Sequence, residues 1–216
     1  MNLPNKLTIL RILLVPLIVI IYYLGSLGII SGDFLGVQIV NWIIIAIFGI
    51  ASYTDHLDGK LARRENKITT FGKFADPLAD KILVLATMLI LVEDGKLPAW
   101  ISIIVLFREF VVSGYRLIAV EKGGQVIAAN IWGKIKTVTQ MIAIILMLLS
   151  NFGYFEFIFR AATITQANDS SVLVYMSTLE YVINILGSVL MTVSVIATVF
   201  SGWNYVKGGK EIFKDC

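Results

Sequence analysis

The sequence predicts an all-α integral membrane protein with six transmembrane helices. Hydrophobic residues make up 57% of its 216 residues, charged residues make up only 15%, and the mean hydropathy is +0.84. Since a soluble domain carries roughly 25% charged residues, this chain has too little polar surface for a water-soluble globule. One Cys and one His in the whole chain exclude a disulfide framework and argue against a His-rich metal site. The lipid bilayer is therefore the expected partner, and no nucleic-acid partner is expected. The net charge of +3 is modest, so the placement of the charges matters more than their sum.

Six apolar segments are candidate spans, because a helix needs about 20 apolar residues to cross a bilayer. They cover residues 7–24, 37–54, 82–92, 99–120, 126–149 and 181–205. The third segment is too short on its own, so we expect its helix to begin near residue 72. Together the six segments predict a single membrane domain over residues 1–216.

The basic residues predict how the chain is oriented in the membrane. Of the 18 Lys and Arg residues, only Lys96 and Arg160 fall in the connections that follow the first, third and fifth segments. Cytoplasmic loops of membrane proteins carry an excess of Lys and Arg. We therefore expect both termini, and the connection between the second and third segments, to lie in the cytoplasm.

Four carboxylates interrupt the apolar pattern around the connection between the second and third segments. They belong to Asp55, Asp58, Asp76 and Asp80. At about 100° per residue, the first two lie about 60° apart around a helix and the last two about 40° apart, so each pair shares a helix face. Because the two segments run antiparallel and a short loop joins them, both pairs are expected at one depth on the cytoplasmic side.

Such a cluster needs cations. An unpaired carboxylate near the hydrocarbon costs about 2.5–3.5 kcal/mol, and four close together also repel one another. Hard divalent cations prefer oxygen ligands, and two of them can share bridging carboxylates, so Mg²⁺ or Mn²⁺ is favoured over zinc. The surrounding bases would suit a phosphate-bearing substrate; they are Lys60, Arg63, Arg64, Lys67, Lys73 and Lys81.

Two other interpretations of the acidic cluster stay open at this point. The cluster could be a solvated loop with incidental ion pairs, although each pair directly adjoins an apolar span. It could also belong to a proton or cation carrier, since acids inside membranes often mark ion paths. Against a carrier, the acids gather at one face and leave Glu109 as the only carboxylate near the membrane centre.

The acidic stretch follows the pattern Asp-x₂-Asp-Gly-x₂-Ala-Arg-x₈-Gly-x₃-Asp-x₃-Asp. Every position is met, by Asp55, Asp58, Gly59, Ala62, Arg63, Gly72, Asp76 and Asp80. This pattern resembles the signature of the CDP-alcohol phosphatidyltransferases, and the six-span layout is also similar to that family. The resemblance implies a multi-pass enzyme of the bacterial plasma or inner membrane. It would transfer the phosphatidyl group of CDP-diacylglycerol to an alcohol at a cytoplasmic active site.

The resemblance also implies roles for individual residues. Two divalent cations, Mg²⁺ or Mn²⁺, would be held by Asp55, Asp58, Asp76 and Asp80, and Asp80 would also act as the general base. Contacts to the CDP headgroup are implied for Gly59, Arg63, Thr69, Asn5 and Thr8. For Asn5 and Thr8, capping of the first helix is an equally good alternative. Family precedent suggests a homodimer.

Charged residues inside the fourth and fifth segments bear on the alcohol acceptor. Arg108 and Glu109 are expected to compensate each other, and Lys136 is expected to snorkel toward the interface. Arg116 and Lys134 have no obvious partner, and a phosphate on the acceptor would satisfy both. This predicts sn-glycerol 3-phosphate as the acceptor.

Two longer runs support the same acceptor. The opening NLPNKLTILRILLVPL and the run FREFVVSGYRL resemble the family members that use glycerol 3-phosphate. Inositol, inositol phosphate or phosphatidylglycerol as acceptor remains the alternative within the family.

Overall fold

The computed structural model describes residues 3–65, 70–121, 131–156 and 178–208, and side chains at 8–54, 79, 81–115, 131–156, 179–205 and 207. Over these ranges the protein is almost entirely helical. The helices are α1 (Leu3–Ser26), α2 (Ile39–Glu65), α3 (Thr70–Glu93), α4 (Ala99–Glu121), α5 (Ile131–Leu149) and α6 (Thr178–Gly208). A small antiparallel hairpin, β1 (Asp33–Phe34) and β2 (Val37–Gln38), lies between α1 and α2. Each of the six predicted segments therefore coincides with a helix.

Among the described residues, three helical segments are long and apolar enough to cross a membrane. They are Thr8–Ser26, Ile131–Leu149 and Leu179–Tyr205, and α2 adds a shorter apolar stretch, Ile39–Thr54. A helix satisfies all of its backbone polar groups internally, which a bilayer requires. The chain is therefore a helical membrane protein, while six spans and cytoplasmic termini stay predictions.

The chain divides into two compact units, Met1–Asp94 and Gly95–Cys216. In the first unit, α1 packs against both α2 and α3. The apolar core of this unit comes from all three helices and includes Ile18, Ile44, Phe48, Leu83, Met88 and Leu91.

Contacts at one end of the first unit establish the directions of its helices. Tyr22 Oη donates to Asp94 Oδ1 at 3.0 Å, and Tyr23 Oη donates to Glu93 Oε2 at 3.3 Å. These bonds join the C-terminal ends of α1 and α3, so the two helices run parallel. A Cβ on Gly25 would overlap the side chain of Val40, so the end of α1 lies against the start of α2. Helix α2 therefore runs antiparallel to α1.

In the second unit, α6 packs along α5 and also contacts α4. Met147 and Leu148 of α5 and Met191 of α6 are fully buried in its apolar core. The loop after α5 is tied to α6, because Asn184 Nδ2 donates to Ser150 Oγ at 3.1 Å. The end of α5 and the start of α6 are therefore held together by polar as well as apolar contacts.

Candidate functional site

The four aspartates of the motif lie on two helices of the first unit. Asp55 and Asp58 are in the last third of α2, and Asp76 and Asp80 are in the first half of α3. The backbone is helical at all four positions, so the predicted i,i+3 and i,i+4 spacings hold within each pair. Helix α2 ends at Glu65 and α3 begins at Thr70, so the connection is as short as expected.

The aspartate positions continue the buried stripes of their helices. On α2 the buried stripe consists of Val40, Ile44, Phe48 and Ala51. On α3 it includes Leu83, Thr87 and Ile90. Extended by steps of three or four residues, the first stripe passes through positions 55 and 58, and the second through positions 80 and 76. The spacing therefore predicts both pairs on the helix faces that form the inside of the unit.

The helix registers also place the pairs at similar heights along the unit. Thr8 lies fourteen residues before Tyr22 on α1, and Asp80 lies fourteen before Asp94, so equal helical rise sets Thr8 level with Asp80. Gly25 of α1 lies against Val40 of α2. Position 10 lies fifteen residues before Gly25 and Asp55 lies fifteen after Val40, so Asp55 is level with position 10. Asp55, Asp58 and Asp80 thus fall within about one helical turn of the same height. Asp76 lies one turn nearer the start of α1.

The remaining predicted contacts to the nucleotide are placed only in part. Thr8 is fully buried on α1, whereas the side chain of Asn5, one turn earlier, lies outside the described part. Gly59 and Arg63 follow the first aspartate pair on α2, and Thr69 lies outside the described residues. The structure therefore places Thr8, level with Asp80, on the face of α1 that is covered.

The chemistry of the motif suits hard divalent cations. Its donors are carboxylates alone, at matching heights on two helices, and Mg²⁺ and Mn²⁺ prefer oxygen ligands. The described side chains include no group of three or more His, Cys, Asp or Glu residues, but the four aspartate side chains are not among them. The backbone placement therefore fits a metal site, and the ligand set stays a prediction.

Sequence reasoning missed Arg11. This arginine is only 1% exposed, and it shares the buried face of α1 with Thr8 and Ile18. A charged residue one turn after Thr8, inside an apolar segment, was the available signal. Its burial depends on α2 and α3, which the sequence of α1 does not reveal.

A second set of buried charges lies in the second unit. Arg108 Nη1 pairs with Glu109 Oε1 at 2.9 Å, and Arg108 Nη2 donates to Ser201 Oγ at 2.5 Å. The Arg108 guanidinium also lies over the ring of Tyr205, 5.9 Å from its centre. Lys136 Nζ donates to the same Glu109 oxygen, and the Lys136 side chain is only 8% exposed.

These contacts confirm one prediction and correct another. Arg108 and Glu109 compensate each other, as the sequence suggested. The expectation that Lys136 snorkels is wrong, because Glu109 offers it a carboxylate inside the unit. Arg116 lies on α4 with its side chain outside the described part, and Lys134 is exposed on α5. Their predicted role in binding the acceptor stays a prediction.

Comparison with known proteins identifies the family of this chain. The family model for CDP-alcohol phosphatidyltransferase matches residues 1–200. A Bacillus subtilis protein named CDP-diacylglycerol–glycerol-3-phosphate 3-phosphatidyltransferase is 38% identical over 217 residues, covering 99% of this chain and 97% of the relative. A Rickettsia felis protein of the same name is 29% identical, covering 98% of this chain and 97% of the relative.

A third relative is more similar over a shorter stretch. A Haemophilus influenzae protein with the same name is 40% identical over 147 residues, covering 66% of this chain and 73% of the relative. The family match runs through both units and includes the whole aspartate motif. The chain therefore belongs to the CDP-alcohol phosphatidyltransferase family.

Proposed function

We propose that this protein transfers the phosphatidyl group of CDP-diacylglycerol to sn-glycerol 3-phosphate, giving phosphatidylglycerophosphate and CMP. The observation that carries the proposal is the complete aspartate motif on two helices whose registers bring three of its aspartates to one height. The names of the relatives support glycerol 3-phosphate as the acceptor. Membership of a phosphatidyltransferase family decides against the proton or cation carrier.

In the proposed mechanism, the chain orients two substrates and moves one proton. When bound, two Mg²⁺ or Mn²⁺ ions would polarise the diphosphate and neutralise charge on the departing CMP. Asp55, Asp58, Asp76 and Asp80 would hold them. Asp80 accepts the proton of the primary hydroxyl of glycerol 3-phosphate, while that hydroxyl oxygen bonds to the β-phosphorus of CDP-diacylglycerol. The bond from that phosphorus to the bridging oxygen breaks, and the electron pair leaves with CMP.

Binding of the two substrates is assigned to different parts of the chain. Asn5, Thr8, Gly59, Arg63 and Thr69 would contact the CDP headgroup. Arg116 and Lys134 would hold the phosphate of glycerol 3-phosphate, as paired basic residues do for phosphate groups in general. The match of the family model through both units supports one functional domain over residues 1–216.

We also propose six spans, a bacterial plasma or inner membrane location, cytoplasmic termini and a homodimer. The lopsided distribution of Lys and Arg supports this orientation. A reporter fused after Cys216, and one inserted near Lys67, should both be protected from reagents added outside the cell. Labelling of either site from outside would contradict the orientation. It would mean that the active site faces away from the compartment that supplies CDP compounds.

The direct test of the function measures CMP release from CDP-diacylglycerol by the purified full-length protein with a panel of acceptors. The panel contains glycerol 3-phosphate, inositol, inositol phosphate, serine and phosphatidylglycerol. Release that depends on glycerol 3-phosphate and on Mg²⁺ or Mn²⁺ supports the proposal. Release with another acceptor alone would move the protein to a different branch of the family.

A further inference from the structure

Arg11 is a buried charge that the proposed mechanism does not use. Its side chain is only 1% exposed in the first unit, on the face of α1 that α2 and α3 cover. The guanidinium of arginine carries a positive charge and only donates hydrogen bonds. Burying such a charge costs several kcal/mol unless an anion and hydrogen bonds compensate it. An anion close to Arg11 is therefore expected, and the carboxylates of the first unit are the candidates.

Residues 1–94 contain eight carboxylates: Asp33, Asp55, Asp58, Glu65, Asp76, Asp80, Glu93 and Asp94. Glu93 and Asp94 are held beside Tyr23 and Tyr22, eleven or more residues along α1 from Arg11, or about 16 Å at 1.5 Å per residue. Asp33 lies in the hairpin at that same end. Three of the eight carboxylates are therefore too far away to compensate Arg11.

By height, Asp55 and Asp80 are the motif aspartates nearest to the Cα of Arg11, and Asp58 is one residue rise beyond Asp80. The registers above set Asp55 level with position 10 of α1 and Asp80 level with Thr8, both within one turn of Arg11. Long side chains on helices lean back toward the N-terminus, which brings the Arg11 guanidinium nearer to these heights.

We propose that Arg11 is a positioning residue that donates charge-assisted hydrogen bonds to the carboxylates of Asp55 and Asp80. A planar guanidinium can reach two carboxylate oxygens at once, which restricts their orientation. The outward oxygens are then left in place for the metal ions. This inference rests on the proposed assignment of the aspartates as metal ligands. It predicts that Arg11 strengthens metal binding although it makes no contact with the metal.

The test is a Mn²⁺ titration of the purified full-length protein in detergent. The shift in melting temperature at each Mn²⁺ concentration is the readout. Wild type, Arg11→Met and Arg11→Lys are compared, starting from EDTA-treated protein. Loss of a hydrogen-bonding partner behind metal ligands typically costs 10–100-fold in affinity, so Arg11→Met should need about 10–100 times more Mn²⁺ for half of the shift. Arg11→Lys should fall between, because it keeps the charge but lacks the planar fork.

Asn41→Leu is the matched control. Asn41 is also a buried polar residue of the first unit, but it lies at the start of α2, beside the end of α1 that carries Gly25. This variant should alter the melting temperature in EDTA without changing the Mn²⁺ concentration that gives half of the shift. A packing role for Arg11 would produce the same result as this control.

An Arg11→Met protein that folds and binds Mn²⁺ like the wild type, or more tightly, would overturn the inference. If Arg11→Met does not fold, Arg11→Lys is judged by the same criterion. The proposed function has a separate test, because CMP release that does not require glycerol 3-phosphate would refute the acceptor while leaving the Mn²⁺ result for Arg11 intact.

Discussion

The two units of this protein differ in the charged residues that their helices bring together. In the second unit, the described side chains place two cations, Arg108 and Lys136, on one carboxylate, Glu109. In the first unit, Arg11 is the buried cation among the described side chains, and the helix registers set it within about two turns of the heights of four aspartates. A group of carboxylates suits metal ions, whereas a group of cations suits a substrate that carries phosphate. The comparison therefore predicts donor chemistry in the first unit and acceptor recognition in the second.

The largest effect should come from removing the acids of the first unit. Asp55→Ala, Asp58→Ala and Asp76→Ala should each lower kcat by about 10³-fold or more. Metal ions contribute several kcal/mol to such transition states, at about 1.36 kcal/mol per tenfold in rate. CMP release by folded variants is the measurement, and EDTA should abolish it in the wild type.

Asp94→Asn is the control for these variants, since Asp94 is an exposed carboxylate at the other end of the same unit. It should keep wild-type activity. Full wild-type activity in EDTA would refute the metal assignment and, with it, the electrostatic contrast between the units.

Asp80→Asn should separate proton transfer from binding within the first unit. The amide can fill the same space but cannot accept the proton, and general-base catalysis is typically worth 10²–10⁴-fold, so kcat should fall by about that factor. Affinity for CDP-diacylglycerol should change much less. A kcat within about threefold of wild type would remove Asp80 from the role of base.

Glu109→Gln should destabilise the second unit without involving metal ions. Removing one partner of a buried ion pair typically costs about 3–5 kcal/mol, because the remaining charges are left uncompensated. We expect a marked drop in melting temperature that added Mg²⁺ does not reverse. Glu93→Gln, which alters an exposed carboxylate bonded to Tyr23, should cost at most about 1.5 kcal/mol. Equal melting temperatures for the two variants would show that Glu109 is not a structural tie.

The smallest effect should be a selective one on the acceptor. A charge-assisted contact to phosphate is worth about 1.5–3 kcal/mol, so Arg116→Ala should raise the KM for glycerol 3-phosphate by roughly 10–150-fold. The KM for CDP-diacylglycerol should stay near wild type, and Arg116→Lys should recover only part of the loss. Lys207→Ala, at an exposed basic residue of α6, is the control. An equal rise in both KM values, or in neither, would contradict this assignment.

Much of the fold and of the motif could be predicted because both depend on local sequence. Long apolar segments can satisfy their backbone groups in a bilayer only as helices, so the positions of the helices follow from composition. The spacing from Asp55 to Asp58 and from Asp76 to Asp80 sets each pair on one face once the backbone is helical. The same motif was specific enough to predict the family, which the comparisons confirm.

The burial of individual charges could not be predicted, because it depends on partners from other helices. If α5 is considered alone, Lys136 is expected to snorkel. In the structure it is buried, because it forms an ion pair with Glu109 of α4. Arg11 resembles an isolated charge in the first span until α2 and α3 cover it.

The sequence by itself determined the helical membrane class, the family and the aspartate pairs, since each depends on composition or on spacing along one helix. Only the tertiary structure decided the register of α1 against α3, which is visible in the bond from Tyr22 to Asp94, seventy-two residues away. That register sets Thr8 level with Asp80 and Arg11 one turn beyond. Spacing along a chain specifies which residues share a face, but the height at which two helices meet depends on contacts between side chains far apart in sequence.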